Sequence, residues 1–581
     1  MCDRTNAGGG RPAARTIALI GLLAAVVFWS GCSTSHYRKA ADKEVYGIIR
    51  QVESKIFGRT NEFSIDTPYS GREPGDIQPP ELIEDRLKKG HRVISIEDAL
   101  TLAAQSRRYQ TQKETLYLSA LSLTGSRYQF SPHFLAALGG DVSRSTSGEV
   151  QAGGNLRLGV SQLLKTGGRL GVNLANDILR YYTGSPRNSA ISVISVNLAQ
   201  PLLRGFGKNS SAVESLTQAE RNVVYAVRNY SYFQDQFAVE IVTDYFALLA
   251  QKDIIRNRYT NYLSRVQSTQ RLEARAKDRE ALNDVDQARQ AELTARNNYI
   301  NSLASFSTAL DNFKLKLGLP LGETISLDDR ELAKLQQAGL IPVPLDQEAA
   351  YRVAVEKQLP LLNSIDRFED VKRKVRIAAD GLRAQLNLVG DASLNSEPPT
   401  DYTKFDINQV RAGAGLDLDL PLDRLNERNT YRAALVSFES ELRNLTLALD
   451  TLRSDIASGM RTLAQRRQNY EIQKNALALA DRRVESVTLL LQAGRSEVRD
   501  LVDAQDAQIS AQNAVVAALV DYQNARLQLM LDIGALRSDQ PEFWLKDHLA
   551  GFLPPHEAGR ETSAGSDQPL IDPDAFFNYR P

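Results

Sequence analysis

The most restrictive feature of the sequence is the stretch 423–492, which predicts one uninterrupted helix. Its apolar residues recur at alternating spacings of three and four, which is the heptad pattern of a coiled coil. The members of this seam are Leu435, Phe438, Leu442, Leu445, Leu449, Leu452 and Ile456. At ~1.5 Å per residue, about 70 residues make a rod on the order of 100 Å long. A single compact domain cannot contain such a rod.

The N-terminus has the pattern of an export signal. Arg4, Arg11 and Arg15 precede a short apolar run, 17–29, which is followed by Gly31-Cys32-Ser33. This arrangement resembles the bacterial lipobox, although Trp29 stands where Leu is usual. The resemblance implies a signal peptide, 1–31, and a lipid on Cys32, with Ser33 directing the protein to the outer membrane. An uncleaved membrane anchor is the alternative interpretation. Residues 32–90 are polar and rich in proline, which predicts an N-terminal periplasmic arm.

From residue 91 the chain passes twice through the same order of predicted elements. The first repeat, 91–345, is predicted to contain a helix (94–127), strands within 133–200, a long helix (211–275), a short helix (282–317) and a linker (319–345). The second repeat, 346–537, is predicted to contain a helix (346–383), strands within 385–420, the long helix (423–492) and a short helix (498–533). Aligning Gly318 with Gly534 superposes Arg279 on Arg495 and Asp284 on Asp500. We infer an internal duplication.

The predicted strands alternate between apolar and polar residues, so each would have one apolar face. In 410–420 one face is wholly apolar, and the other carries Arg411, Asp417 and Asp419. In an exported, lipid-anchored protein this pattern indicates a sheet in a bilayer, where strands must close into a barrel. Four to six strands per chain cannot close one, because the smallest membrane barrels need about eight. The chain must therefore oligomerise, which would also bury the apolar stripes of the rods.

Composition and residue spacing exclude several other classes of protein. The formal net charge is +0, whereas nucleic-acid binders normally carry a basic surplus. The five histidines, His36, His91, His133, His548 and His556, have no metal-ligand spacing, and no catalytic motif is present. We expect no enzymatic activity, no cofactor and no metal.

Three segments carry a family resemblance: 200–205 (QPLLRG) and 420–422 (LPL), where a strand leads into a long helix, and 493–501 (AGRSEVRDL). With the repeated order of elements, they resemble the TolC-like outer membrane efflux protein family over residues 91–537. The resemblance implies an α+β membrane protein formed by a homotrimer. A twelve-strand outer-membrane β-barrel would continue into a tunnel of twelve coiled-coil helices across the periplasm.

The resemblance also implies a function and a set of site residues. The protein would be the outer-membrane channel of a tripartite efflux or type I secretion system, passively conducting substrates that an inner-membrane pump and a periplasmic adaptor deliver. An acidic constriction at the periplasmic end would contain Asp500, Asp503 and Asp284, although Gln287 replaces the fourth acidic residue. The tips that contact the adaptor would include Arg279, Gly494 and Arg495. Taken alone, Asp500 and Asp503 fit a solvated helix surface better than a functional site. Arg279 and Arg495 fit equally well a solvated surface, a pair with a neighbouring acid or a contact at the tip.

Two segments and one rival function remain open at the level of the sequence. The extra hairpin near 151–178 could add strands to the barrel, extend strands beyond the membrane, or cover the outer mouth. The tail, 538–581, is rich in proline, glycine and acidic residues and is expected to be flexible. The rival function is a structural coiled-coil envelope lipoprotein without a pore.

Overall fold

The computed structural model describes residues 33–144, 146, 148, 150–181, 188–276, 282–397, 403–420, 422–493, 495–546, 548 and 549. These residues form long helices, one six-stranded antiparallel sheet and one two-stranded parallel sheet. Among them, no helix is both long and apolar enough to cross a membrane.

Two serine caps divide the first predicted helix of the first repeat. The N-terminal segment and the first repeat contain α1 (Thr34–Phe57), α2 (Pro79–Leu87), β1 (His91–Ile94), α3 (Ile96–Ala103), α4 (Arg107–Tyr128), β2 (His133–Arg144), β3 (Val150–Leu163), β4 (Arg169–Tyr181), β5 (Asn188–Pro201), α5 (Ser211–Ala276) and α6 (Leu282–Leu317). Ser95 forms a capping box with Asp98, and the Ser106 side chain accepts a hydrogen bond from the N–H of Tyr109. Each cap satisfies an N–H group that has no partner within its helix, so α3 and α4 both begin at a serine.

A proline divides the corresponding helix of the second repeat. The rest of the chain contains β6 (Thr324–Leu327), α7 (Arg330–Ala338), α8 (Gln347–Lys357), α9 (Leu359–Asp380), β7 (Gln385–Asn395), β8 (Arg411–Asp419), α10 (Leu425–Gln492) and α11 (Val498–Ile533). Pro360 lies in the first turn of α9. Proline is tolerated there but cannot continue a preceding helix, so α8 ends before it.

The segment predicted as a linker, 319–345, is part of the folded middle of the molecule. β6 pairs in parallel with β1, and α7 buries Leu332 and Leu335. The Tyr245 hydroxyl of α5 donates a hydrogen bond to the Ile94 carbonyl at 2.8 Å, which joins this small sheet to the long helix. The largest hydrophobic core of the described residues lies at this level.

The helices lie four abreast at both ends of the rod. Near the six-stranded sheet, α4 packs on α5, α5 on α9, and α9 on α10. Toward the other end, α6 packs on α5, α5 on α11, and α11 on α10. Among the helices of the described residues, only α5 and α10, with 66 and 68 residues, run through both layers. At ~1.5 Å per residue each is on the order of 100 Å long.

The ends of the two shorter helices repeat the same contact. α6 and α11 end at Gly318 and Gly534, which have left-handed φ angles of 78° and 76°. Gly318 lies against Ser106 at the α3–α4 junction, and Gly534 lies against Gln358 at the α8–α9 junction. Glycine is the residue that takes this conformation without strain, so it can end a helix tightly against a neighbouring backbone.

Part of the C-terminal segment is packed into the core. The sequence predicts a flexible tail from residue 538, but Phe543, Trp544 and Leu549 are buried in the largest core. The buried Arg526 of α11 donates a hydrogen bond to the Trp544 carbonyl at 2.9 Å. Burial of these aromatic rings and this charge-assisted bond hold residues 543–546 against the core. The polar composition of the whole tail hides this contribution.

Candidate functional site: the sheet and the helix tip

The six-stranded sheet has the order β2-β3-β4-β5-β7-β8, and each neighbouring pair is antiparallel. Residues paired across the strands share a face, so the register assigns every side chain to one of two faces. Even-numbered positions form an apolar face that includes Phe134, Leu138, Val142, Leu156, Leu158, Val160, Leu170, Val172, Leu174, Ile194, Val196, Leu198, Leu386, Leu388, Leu394, Leu416 and Leu418. This face is open, since Phe134 is 81% exposed and Leu416 is 67% exposed.

The opposite face carries polar residues on all six strands, although Leu135, Ile191, Val193 and Val389 also lie on it. Its members include Asp141, Asn155, Arg157, Ser161, Arg169, Asn173, Ser195, Asn197, Asn387, Asp391, Ser393, Arg411, Asp417 and Asp419. The apolar face has few polar members, and two of them, Asn176 and Ser192, hydrogen-bond to each other at 2.5 Å. The sheet therefore separates an apolar side from an aqueous side.

Polar side chains lie flat over glycines on the polar face. The directly paired residues are Asn155 with Gly139, Asp141 with Gly153, Asn173 with Gly159 and Asp391 with Gly413. A Cβ atom at Gly153 would lie 2.6 Å from an Asp141 oxygen, and one at Gly413 would lie 3.1 Å from an Asp391 oxygen. Glycine in a strand commonly marks such a close approach. The pattern occurs in the hairpins of both repeats, so glycine makes room for a polar side chain at these positions in each of them.

The turn between β3 and β4 is joined to the start of the long helix. The Gly207 N–H donates to the Thr166 carbonyl at 2.9 Å, and the Thr166 hydroxyl donates to Gln200 at 2.7 Å. On the other side, the buried carboxylate of Asp380 at the end of α9 accepts hydrogen bonds from the Gly205 N–H and from Asn209, at 2.7 and 3.0 Å. Asp380 thereby fixes the point where the sheet leads into α5.

The other candidate region is the tip between α10 and α11. Asp500 caps α11, since its carboxylate accepts hydrogen bonds from the Ser496 hydroxyl at 2.8 Å and from the Glu497 N–H at 3.2 Å. The Ser496 bond holds the pKa of Asp500 below its usual range, so this exposed carboxylate is ionised at neutral pH. Asp503 is also exposed and lies 4.0 Å from the Arg499 guanidinium. Helix capping is thus one sufficient reason for Asp500, because acidic groups stabilise helix N-termini.

The other residues named from the sequence are only partly within the described chain. Arg495 lies in the turn before α11, where its N–H donates to the Leu490 carbonyl at 2.9 Å. The backbone of Asp284 lies in the first turn of α6, but its side chain is outside the described part. Arg279, Gly494 and Cys32 lie outside the described residues.

Sequence reasoning missed a bond that ties α11 to α5 near this tip. The guanidinium of Arg265, which is only 3% exposed, lies 2.6 Å from the Asp506 carboxylate and 3.0 Å from the Val502 carbonyl. Arg265, Thr269 and Leu272 are all buried and are spaced four and three residues apart. The sequence signal for this bond was a charged residue at a helical position whose neighbours are packed. The signal does not identify the partner, which is 241 residues away.

A second missed cluster joins the two repeats beneath the sheet. Asp370 of α9 is buried and receives ion pairs from Arg221 at 2.5 Å and from Arg373 at 2.8 Å. The Tyr225 hydroxyl also donates to Asp370 at 2.6 Å, and burial raises the pKa of Tyr225 to about 12. Because the carboxylate is fully paired, the cluster can fasten α9 to α5 without leaving an uncompensated buried charge. Within the described ranges, no group of three or more His, Cys, Asp or Glu is placed to hold a metal ion.

Comparison with known proteins identifies the fold. The sequence matches no protein-family model and no curated protein. Three solved structures that do match are the outer membrane channel CmeC of Campylobacter jejuni (TM-score 0.55, 13% identity), the outer membrane protein VceC of Vibrio cholerae (0.54, 15%) and the open state of the outer membrane channel MtrE of Neisseria gonorrhoeae (0.55, 13%). Each alignment covers 76% of this chain and, respectively, 85%, 96% and 88% of the other. The chain therefore has the TolC-like fold of these outer-membrane channels, which confirms the resemblance inferred from the sequence.

Proposed function

We propose that this protein is the outer-membrane channel of a tripartite efflux or type I secretion system, without enzymatic activity. It would act as a homotrimer that passively conducts substrates from an inner-membrane pump and a periplasmic adaptor to the exterior. The observation that carries the proposal is the six-stranded sheet with one continuous apolar face, set on helices on the order of 100 Å long. The likeness to outer-membrane channels supports the same role.

The surfaces of a single chain support assembly into a closed wall. The edge strands β2 and β8 each have one neighbour among the described strands. Unpaired backbone groups are costly in hydrocarbon, so both edges require a partner in a membrane. Along α10, Leu447, Leu479 and Leu489 are each more than 60% exposed, which leaves apolar surface for other helices. Copies of the chain around an axis would cover the edges and these side chains together.

The direction of α1 supports a lipid anchor on Cys32 at the membrane. Asp42, early in α1, accepts a hydrogen bond from Tyr117 at the middle of α4. Arg59, just after α1, pairs with Asp539, and the neighbouring Ser538 bonds to Asp235, farther down α5. α1 therefore runs away from the sheet, and its N-terminal end faces the level at which the membrane would begin. A lipid on Cys32 would enter the periplasmic leaflet there.

At the opposite end, we assign the constriction to Asp500, Asp503 and Asp284, and the adaptor contact to Arg279, Gly494 and Arg495. The exposure of Asp500 and Asp503 and the depressed pKa of Asp500 support this assignment, because charged rings at a narrow pore select ions. Three copies would place several carboxylates around one axis.

Single-channel recording tests the function, with the pore-free coiled-coil lipoprotein as the rival. Wild-type protein reconstituted in planar bilayers is expected to conduct, and Leu416→Asp on the apolar face is expected to prevent insertion. The matched control, Asp417→Asn on the polar face, should insert like the wild type. Absence of conductance from correctly folded wild-type protein that stays attached to the bilayer through its lipid, with Leu416→Asp behaving like the wild type, would support the rival. Mass spectrometry of Cys32→Ser should show loss of the lipid.

A further inference from the structure

We infer that the membrane barrel has eighteen strands, because each chain inserts the β3–β4 hairpin into the wall itself. This inference rests on the proposed trimeric channel and contradicts the twelve strands that the family resemblance implies. Of the three alternatives for the extra hairpin, the inference chooses the one in which the hairpin adds strands to the barrel.

The register places the extra hairpin within the wall. β3 and β4 are hydrogen-bonded between β2 and β5 over nearly their whole length, with Val150 to Leu163 and Arg169 to Tyr181 in continuous pairing. A hairpin that only covered the outer mouth would leave β2 paired with β5. The described strands contain no such pairing, since β2 pairs with β3 alone.

The faces of the extra hairpin agree with those of the other strands. Leu156, Leu158 and Val160 of β3 lie opposite Asn176, Leu174 and Val172 of β4 on the apolar face. Arg157 lies on the polar face, opposite Ala175. A segment outside the bilayer has no physical reason to keep apolar side chains exposed along one face only. The hairpin therefore fits a wall between lipid and water.

The edge strands have directions that allow closure by a second copy. β2 follows α4 and runs away from the helices, whereas β8 runs toward α10. β8 of one copy and β2 of the next would therefore pair antiparallel, as every other neighbour in the sheet does. Three copies of a six-stranded sheet then close at eighteen strands without a mismatched edge.

A distance between copies measures the strand number directly. The only cysteines are Cys2 and Cys32, so a spin label on Asp417→Cys, with Cys32 lipidated, reports one site on β8. Eighteen strands at about 40° tilt give a barrel radius near 18 Å and a separation of about 30 Å between the Cα atoms of residue 417 in two copies; twelve strands give about 20 Å. Because Asp417 lies on the polar face, the label points toward the axis, and the distance from double electron–electron resonance must be corrected for the length of the label. We expect a corrected separation of about 30 Å, and about 20 Å would overturn the inference. The absence of any distance between copies would instead refute the trimeric channel.

Deletion of residues 150–181 provides the matched variant, because it removes β3 and β4 and lets β2 pair with β5. The backbone separation, after correction for the label, should then shorten about 1.5-fold, in proportion to strand number. An unchanged separation would show that the hairpin is not in the wall.

A second measurement does not depend on the deletion variant folding. Fluorophores on Leu158→Cys and Arg157→Cys in vesicles should be quenched by a lipid-borne and a water-soluble quencher, respectively. Leu416→Cys and Asp417→Cys on β8 are the controls. If water-soluble quencher reaches Leu158→Cys but not Leu416→Cys, the hairpin lies outside the wall. If it reaches both, the sheet is not in the membrane, and the proposed function fails with it.

Discussion

Replacing Gly534 by Ala tests how closely the end of α11 packs against the α8–α9 junction. Gly318→Ala, at the end of α6, is the matched control. Both glycines have φ angles near 77°, so alanine meets the same backbone strain at either position. The surroundings differ. A Cβ at Gly534 would lie 3.0 Å from the backbone of Lys357 and Gln358, whereas one at Gly318 would come no closer than 3.5 Å to Ser106.

The difference between the two variants isolates this contact. A left-handed φ costs a non-glycine residue about 1–2 kcal/mol, and the lower entropy of the unfolded chain returns about 0.4–1 kcal/mol at both sites. We therefore expect Gly318→Ala to cost about 1 kcal/mol. At Gly534 the backbone of the α8–α9 junction must also move, which adds about 1–3 kcal/mol of overpacking.

Amide hydrogen exchange resolves this effect locally, in the last turn of α11 and at the α8–α9 junction. Since 1.4 kcal/mol is tenfold in an equilibrium constant, local opening in Gly534→Ala should be roughly tenfold to a hundredfold more frequent than in Gly318→Ala at the equivalent turn. Equal exchange in the two variants would refute the steric argument and leave the φ angle as the whole cause.

Three further predictions concern charged groups. Burial raises the pKa of Asp235 to about 6 from 3.8, so ionisation of this carboxyl lowers the stability of the fold as the pH rises from about 4 to 6. Asp235→Asn should remove that loss, which is at most about 3 kcal/mol at pH 7, and thermal melts across this pH range measure it. If the carboxyl group is not buried, the variant and the wild type should have the same melting temperature at every pH. Asp380→Ala removes the acceptor of the Gly205 N–H and should cost about 2–4 kcal/mol, with new proteolysis at 202–210; resistance like that of the wild type would contradict the assigned role. Asp500→Ala with Asp503→Ala should reduce cation preference in reversal potentials, and unchanged selectivity would remove both residues from the constriction.

Local periodicity predicted those parts of the fold that depend on contacts between residues close together in the sequence. The heptad leucines of 435–456 predict a long helix, and α10 runs from Leu425 to Gln492. The alternation in 410–420 assigns Leu416 and Asp417 to opposite faces, as the register of β8 does. In both cases one repeating contact determines the pattern.

Contacts between distant residues could not be read in the same way. The order of the strands depends on the pairing of β5 with β7, which aligns Val193 with Asn395. The partner of Arg265 is equally remote, so the sequence indicated a buried charge without indicating what neutralises it. The polar composition of the tail likewise led to a prediction of flexibility, although Phe543 and Trp544 are buried. Their burial depends on a space that only the folded core provides.

The way the β3–β4 hairpin joins the molecule has a consequence for how the proposed pore could diversify. The hairpin begins and ends at the edge of the sheet that is farther from the helices. Below the sheet, α4 and α5 remain in contact. Gaining or losing such a unit leaves the chain's path into the rods intact. In the proposed trimeric barrel, the diameter would therefore change in steps of six strands, each from a single insertion in one gene, while the far ends of the helices stay the same.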